Sequence, residues 1–344
     1  MKLTCNETGD FTILVIGDPQ LDWPEVYHEG PEEIEILLDR VNPDFVVLNG
    51  DLQTRNDYDF EYLDGIVAPL NKRNIPWAYT NGNHDLFTEE HHAWYKSYPL
   101  CLGDVVSPDD PDYEPTRPLN YVLPIYSHDG ERQVFAVWGM DTGFYNEYGW
   151  DGLTEKQIRW YQRTSDAQTA QNGRKITGLL CCHLPFPQVL DLYYSKKDGS
   201  PAITGERGDA YPCYGNFTVG AAAEDYNSEE YVTDTGTVLK GRGGSSCTRP
   251  QNDRGMMRAI FDQGDVKAVV FAHEHIKNMV GSFHGVLLSY AGKISMGCGA
   301  DELARGGRVF RFNEKAPERF LTWWVGSMET AEDQPAIYSD GSLA

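Results

Sequence analysis

Five short clusters in the chain carry side chains able to bind metal or move protons. They are Asp18-Pro19-Gln20, Asp51, Asn83-His84-Asp85, His183 and His273-Glu274-His275. Each one directly follows an apolar run. "FTILVIG" precedes Asp18, "DFVVLNG" precedes Asp51 and "IPWAYTNG" precedes Asn83, while "KITGLLCC" leads to His183 and "VKAVVFA" to His273. A polar turn accounts for any one of them, since Asn-Gly is a common turn dipeptide and Asp or Asn often caps a helix. It does not account for carboxylate, amide or imidazole at all of them. Asp, Asn and His without Cys form an oxygen-and-nitrogen donor set, which suits zinc, manganese or iron rather than a thiolate-held structural zinc. Two cations sharing one carboxylate would take about seven or eight protein donors and leave positions for water and substrate. His273 and His275 flank Glu274, so on a strand both imidazoles would share one face, and on a tighter turn they could still converge.

The elements that must position these groups alternate strand and helix. Strands are expected at Phe11 to Gly17, Asp44 to Gly50 and the "IPWAYTNG" run. Between them, Pro31 to Val41 places Ile34, Leu37, Leu38 and Val41 at helical spacing. Tyr58 to Lys72 reads as a second helix, broken late by Pro69. This β-α-β-α-β order implies parallel pairing. In an open α/β sheet the carboxyl ends of the strands form the rim where ligands bind, so the clusters are expected at one rim. Ser107 to Pro118 reads as loop, and "NYVLPIYS" with "RQVFAVWGMD" as a hairpin around Asp129-Gly130. Leu153 to Gln168 is a helix opened by a Thr154/Gln157 capping box. "GVLLSYAG", "GRVFRFN" and "RFLTWWVG" supply late strands. Residues 188 to 250 are rich in Gly, Tyr, Ser and Asp without periodicity, as lids and binding loops often are. No composition shift marks a second domain, so 1–344 reads as one domain with an insert at about 188–250 covering the active site.

The 344 residues are 40% hydrophobic, enough for a large core. With 29 basic against 52 acidic residues the net charge is −23, which disfavours stable nucleic-acid binding or an anionic membrane surface. No apolar run reaches the ~18 residues of a membrane span, and no signal-peptide pattern is visible at the N-terminus. Two sequons, Asn6-Glu7-Thr8 and Asn216-Phe217-Thr218, lean toward a secreted setting. Of seven Cys, Cys181 and Cys182 read as small buried hydrophobes, and Cys213 with Cys247 is a candidate bridge. Nothing in the sequence signals an oligomeric state. The strong negative charge means that an anionic substrate would need a local positive centre.

In order, the clusters read "GDPQ", "NGDLQ", "GNHD", "CCHLPFP" and "AHEH". This series resembles the calcineurin-like metallophosphoesterases, whose pattern is D-x-[HQ], GD, GNH[DE], a His, then [GA]-H-x-H. The resemblance runs from about Phe11 to Phe312, and the late stretch "GVLLSYAGKISMGCGADELARGGRVFRF" is similar to the purple-acid-phosphatase-related branch that lacks the tyrosine ligand. It implies an α/β fold built as a two-sheet β-sandwich flanked by helices, four-layer αββα. It implies two metal ions, divalent or trivalent, with zinc, manganese and iron all acceptable. Asp18, Asp51 and His275 would hold the first, Asp51 would bridge, and Asn83, His183 and His273 would complete the second. His84 would act on the substrate phosphate and its leaving oxygen, with Asp85 orienting the imidazole. Two departures stand out. Gln20 replaces the His that many members use as a ligand, so it would be a weaker, neutral donor or would leave that place on the first site to water. Thr54 stands where purple acid phosphatases have their tyrosine, so no tyrosinate-to-iron colour is expected.

The activity implied is phosphoric ester hydrolysis, as a phosphatase or phosphodiesterase, by a metal-bridging hydroxide. Water between two cations loses its proton far more readily than bulk water, whose pKa of about 15.7 falls to about 7 on a single zinc. The alternatives are a protein phosphatase, or a non-catalytic scaffold that keeps the fold. Arg305 and Arg308 in "RGGR" are candidate phosphate clamps, the plain alternative being a surface pair at a turn. Lys240, Arg242 and Arg249 could belong to a lid, and Tyr193, Tyr194, Tyr211 and Tyr214 could line a cleft or pack within the insert. His91 and His92 are expected on a helix surface, and His128 and His284 in loops or hairpins.

Overall fold

The computed structural model describes residues 1–20, 28–54, 59–85, 87–146, 149–186, 188–189, 254–275, 277–295, 305–329 and 333–344, with further strand backbones between 202 and 241. Its elements begin with β1 (Leu3–Thr4), β2 (Asp10–Ile16), α1 (Glu29–Val41), β3 (Phe45–Asn49), α2 (Phe60–Lys72), β4 (Trp77–Thr80) and α3 (Glu89–Lys96). There follow β5 (Asn120–Tyr126), β6 (Gln133–Met140), β7 (Tyr145–Asn146), β8 (Gly149–Trp150), α4 (Glu155–Asn172) and β9 (Gly178–Cys182). Then come β10 (Ala202–Thr204), β11 (Ala210–Tyr214), β12 (Glu229–Val232), β13 (Val238–Gly241), α5 (Met256–Gln263) and β14 (Val266–Phe271). The chain closes with β15 (Val280–Phe283), β16 (Val286–Tyr290), β17 (Gly306–Asn313), β18 (Leu321–Gly326) and β19 (Ile337–Tyr338).

Two mixed sheets dominate. One has six strands in the order β19-β18-β17-β2-β3-β4, the other nine in the order β1-β5-β6-β9-β14-β16-β15-β11-β10. As the β-α-β-α-β order requires, β2, β3 and β4 pair in parallel. In the larger sheet β6, β9, β14 and β16 also run parallel.

The period-two alternation of strand side chains makes these sheets a sandwich. On β9, Leu179 and Cys181 join a core shared with Val15 and Leu48 of the other sheet. Their neighbours Leu180 and Cys182 face a second core with Ile158 and Tyr161 of α4 and Met257 and Ile260 of α5. β14 divides in the same way, Ala268 and Val270 to one core and Val269 and Phe271 to the other. Helices α1 and α2 bury Ile34, Leu37, Leu38, Leu63 and Ile66 against the six-stranded sheet. The layers are therefore helix, sheet, sheet, helix. Strands buried on both faces read as continuous apolar runs rather than alternations, which is why the sequence shows them so clearly.

Several local expectations meet their physics here. The α4 capping box forms, with Thr154 N–H donating to Gln157 Oε1 at 2.9 Å and Gln157 N–H to Thr154 Oγ1 at 3.2 Å. Cys181 and Cys182 are free thiols, fully buried as apolar fillers. His284 and Gly285 turn the β15–β16 hairpin with φ of 48° and 85°, the left-handed pair that a tight hairpin needs.

Other expectations need correction. Pro69 does not break α2, which continues to Lys72 because the ring falls in the closing turn, where Arg73 N–H bonds the Pro69 carbonyl at 3.3 Å. His91 is not on the surface. It is 2% exposed, with its ring 4.4 Å from that of Tyr95, because α3 turns it inward against β4. His92 keeps a half-buried place near Asp104. Strand β15 escaped the sequence reading, since "VGSF" is too short and too mixed to stand out.

The covering role expected of the insert at about 188–250 lies largely outside the described residues. So do the Cys213–Cys247 pairing and the side chains of Tyr193, Tyr194, Tyr211, Tyr214, Lys240, Arg242 and Arg249. What is described is backbone: β10 and β11 extend the nine-stranded sheet beside β15, and β12 pairs with β13.

Candidate metal centre

The carboxyl ends of β2, β3 and β4 in one sheet meet those of β9 and β14 in the other. Each strand end turns sharply at once. Asp18, Asp51 and His273 have φ of 49°, 49° and 68°, a left-handed region that side-chain-bearing residues seldom adopt. Backbone strain of this kind persists only where surrounding contacts hold it, and it gathers at functional sites. Here it swings three donors into one volume. Glycine permits the approach: Gly50 takes φ 86°, and a Cβ on Gly82 would collide with the Asp51 carboxylate and amide.

The donors fall into two groups that share Asp51. Asp51, His183 and His273 present ligand atoms within 4.8 Å of one another, and so do Asp18, Asp51 and His275. Asn83 joins the first group, its Oδ1 lying 3.1 Å from His183 Nε2. Gln20 joins the second, its Nε2 lying 2.9 Å from His275 Nε2. His183 Nε2 lies 3.3 Å from Asp51 Oδ2 and 3.8 Å from Asp18 Oδ1, and His275 Nε2 is 3.5 Å from Asp18 Oδ1. Asp18, Gln20, Asp51, Asn83, His183, His273 and His275 are thus gathered around one small volume.

Second contacts fix the ring of His183. Its Nδ1 lies 2.9 Å from the Asn49 carbonyl, to which Nδ1–H donates, leaving Nε2 aimed at the oxygens of Asn83 and Asp51. Asn49 is itself a tie between the sheets: its Nδ2 donates to the carbonyls of Cys182 and Val270, each at 3.1 Å, and its Oδ1 accepts from Thr80 Oγ1 at 2.9 Å. The sequence reading missed Asn49, although a polar residue closing the apolar "DFVVLN" run was a visible signal. On the other side, Asp18 accepts the His273 N–H at 2.9 and 3.2 Å, binding the end of β2 to the turn after β14.

The electrostatics follow from crowding charged groups whose side chains are buried. Burial lowers the His183 imidazole, but the Asp51 and Asp18 carboxylates outweigh that and raise it to about 9. Burial opposes charge on Asp51, yet the imidazoles of His183, His84 and His273 hold its carboxyl well below the usual range. His273 is pushed down to about 4, by burial first and His183 second.

A cation fits what is there. The Gln20 side chain is buried, and its Oε1 has no hydrogen-bond partner among the described residues. A buried amide oxygen without a partner, on a side chain that touches His275, is a donor that a cation would satisfy. The set is oxygen- and nitrogen-based throughout, which matches zinc, manganese or iron.

His84 is half-buried at the edge of this cluster, and its backbone N–H donates to Asp51 Oδ1 at 2.8 Å. Asp85 takes a different part from the one expected. Its oxygens accept the Leu52 N–H at 3.1 Å, and Oδ2 accepts the Gly82 N–H at 3.0 Å. It therefore braces the two turns that carry Asp51 and Asn83 rather than an imidazole. Burial, then the Asp51 charge, raises its carboxyl to about 7.

The two arginines are not phosphate clamps. Arg308 is fully buried, its Nε donating to the Tyr290 carbonyl at 3.2 Å and its Nη2 to the Asn278 carbonyl and, at 3.2 Å, to Gln334 Oε1. Arg305 is 5% exposed and paired with Glu33. Both lie at the start of β17 in the middle of the six-stranded sheet, so their guanidinium groups are committed to internal acceptors.

Against known proteins, the calcineurin-like phosphoesterase model matches residues 11–277. The chain belongs to that family. Among curated relatives, "Probable inactive purple acid phosphatase 14" of Arabidopsis thaliana is 24% identical over 274 residues, 73% of this chain and 58% of that protein. "Phosphatase DCR2" of Saccharomyces cerevisiae is 29% identical over 215 residues, 58% of this chain and 35% of that protein. The chain spans about three-fifths of the length of the Arabidopsis relatives it matches. Among solved structures, a dimetal phosphatase from Danio rerio superposes with a TM-score of 0.53 at 12% identity, over 96% of this chain and 99% of that one. A purple acid phosphatase from yellow lupin (Lupinus luteus) seeds reaches 0.50 at 10% identity, over 97% and 55%. These structural likenesses show the fold. Among the described residues no helix is long and apolar enough to cross a membrane.

Proposed function

We propose that the chain is a two-metal phosphoesterase that hydrolyses phosphate mono- or diesters. The observation that carries this is the pair of donor groups sharing Asp51. Asp18, Gln20, Asp51 and His275 would hold one cation, and Asp51, Asn83, His183 and His273 the other. When bound, such a pair supplies a water of lowered pKa and neutralises phosphoryl oxygens. It also supplies the positive centre that a chain of net charge −23 needs to admit an anion.

The rest belongs to this chain's own side chains. Asn49 holds the His183 ring so that Nε2 faces inward. Asp85 keeps the Asp51 and Asn83 turns together. His84, half-buried with its backbone N–H on Asp51, would hydrogen-bond a phosphate oxygen and donate a proton to the leaving oxygen.

A second reading is a non-catalytic protein that retains the fold. The "inactive" in the names of the Arabidopsis relatives favours it, and so does Gln20 in place of an imidazole. One experiment separates the two: elemental analysis of protein purified without chelator, followed by a panel of aryl phosphate monoesters, diesters and phosphopeptides. Bound metal with turnover of a mono- or diester supports the enzyme. Turnover of phosphopeptides alone would make it a protein phosphatase, and stoichiometric metal without turnover would favour the scaffold.

A further inference from the structure

Lys293 belongs to neither donor group, yet it is fully buried beneath one of them. Its Nζ donates to the carbonyl of Asp18 at 2.7 Å and to that of Gln20 at 3.0 Å. Those two carbonyls belong to the turn that carries both side chains. The turn starts from Asp18 at φ 49°, a conformation that the backbone does not favour unaided.

The lysine is itself held in place from both sides. Bridges pair it with Gly17, at the end of β2, and with Arg305, at the start of β17. Gly306 N–H donates to its carbonyl at 2.9 Å, and Ile294 N–H reaches the Gly17 carbonyl at 3.3 Å. Two residues on, Ser295 (φ 70°) adds its Oγ to the Gln20 carbonyl at 3.3 Å and gives its N–H to Glu33 Oε1 at 3.0 Å. Glu33 also binds Arg305 and, at 2.6 Å, Ser327 Oγ. A buried network of Arg305, Glu33 and Ser295 thus reaches the carbonyl of Gln20 beside Lys293.

Burying an ammonium is costly, and a positive charge beneath a cation site repels what the site is meant to hold. An electrostatic purpose would therefore exclude a lysine here. A geometric purpose requires a donor that reaches two carbonyls at once, which an ammonium does. We propose that Lys293 is a positioning residue: it locks the Asp18–Gln20 turn so that the Asp18 carboxylate and the Gln20 amide oxygen face one cation together. This rests on the reading of the cluster as a cation centre.

The two explanations differ in sign, and that decides the test. The full chain, stripped with chelator, is titrated with Mn²⁺ by calorimetry. Gln20→Ala identifies which binding step belongs to the Asp18 side. Lys293→Met is expected to weaken that step by about tenfold or more, as loss of an outer contact to a ligand does, and to leave the other step unchanged. Unchanged binding with a lowered Tm would mean that Lys293 serves only stability, and tighter binding would mean that its charge outweighs its geometry. Either result overturns the proposal. Should Lys293→Met fail to fold, Ser295→Ala trims one bond from the same turn. A weakened step there supports the proposal, and an unchanged one overturns it. Absence of any Mn²⁺ binding by the wild-type chain would overturn the cation centre itself, and it is seen before any variant is compared.

Discussion

The two halves of the centre are built differently. The half around Asn83, His183 and His273 is buried and braced by both sheets, with Asn49 tying β3 to the ends of β9 and β14. The half around Asp18, Gln20 and His275 rests on the turn over Lys293 and on the His273 N–H that Asp18 accepts, and the His275 side chain keeps 17% of its surface exposed. The first offers two imidazoles, the second only one beside an amide and two carboxylates. Nitrogen-rich sites favour zinc-like ions, and oxygen-rich sites tolerate harder ones such as manganese. The lesson is that a shared carboxylate can join two donor groups of different composition, one richer in imidazole and one richer in carboxylate.

The most drastic way to break the comparison is to remove what the halves share. Asp51→Ala is expected to abolish both Mn²⁺ binding steps and all turnover, because each group loses its common carboxylate. Titration and an aryl phosphate assay check this, and retention of either step would mean that Asp51 does not bridge. Next in size is His84→Ala. It should lower kcat by about 10²–10⁴ while both cations stay bound, if His84 acts on substrate as proposed rather than as a donor. Loss of cation binding in that variant would make His84 a donor.

The inner half also makes a prediction about pH. His183 is raised to about 9 in the folded chain without cations, above its unfolded value near ~6.5. A raised base stabilises the fold fully below the unfolded pKa, and that stability is lost as pH rises through the folded one. Chelator-stripped protein should therefore lose thermal stability between about pH 7 and pH 9.5, and zinc-loaded protein should lose less, because the cation takes the proton's place. Parallel profiles with and without metal would show that His183 is not a donor.

Much of this was legible because strand ends are loud in sequence. Parallel strands buried on both faces leave apolar runs, and a polar residue at the end of each run marks the turn. That signal located Asp18, Asp51, Asn83, His183 and His273 before any geometry was known. It failed where placement depends on partners remote in the chain. Arg305 and Arg308 look like surface cations in "RGGR" until β17 is seen to lie inside the sheet, with Glu33 of α1 and the Tyr290 carbonyl waiting for them. His91 looks exposed in "EEHHAW" until α3 packs on β4. Asp85 looks like a partner for the His beside it, but the Leu52 amide, far away in sequence, claims its carboxylate. Side-chain type tells what a residue can do, and tertiary packing decides which of its neighbours receives it.

The smallest effect bears on the half with a single imidazole. Gln20 stands where many family members carry a His ligand, and its buried Oε1 would be a neutral donor. Gln20→His is expected to tighten the Asp18-side Mn²⁺ step by about three- to tenfold, a fraction of what an outer contact is worth when lost. The other step should not move, because Gln20 touches His275 and not His183 or Asn83. If tightening comes with higher kcat at limiting metal, the native amide keeps the outer cation exchangeable and activity follows metal supply. If the step tightens and turnover falls, the amide is what leaves room for substrate on that side. If neither changes, Gln20 is not a donor, and the asymmetry between the halves must lie in their other contacts.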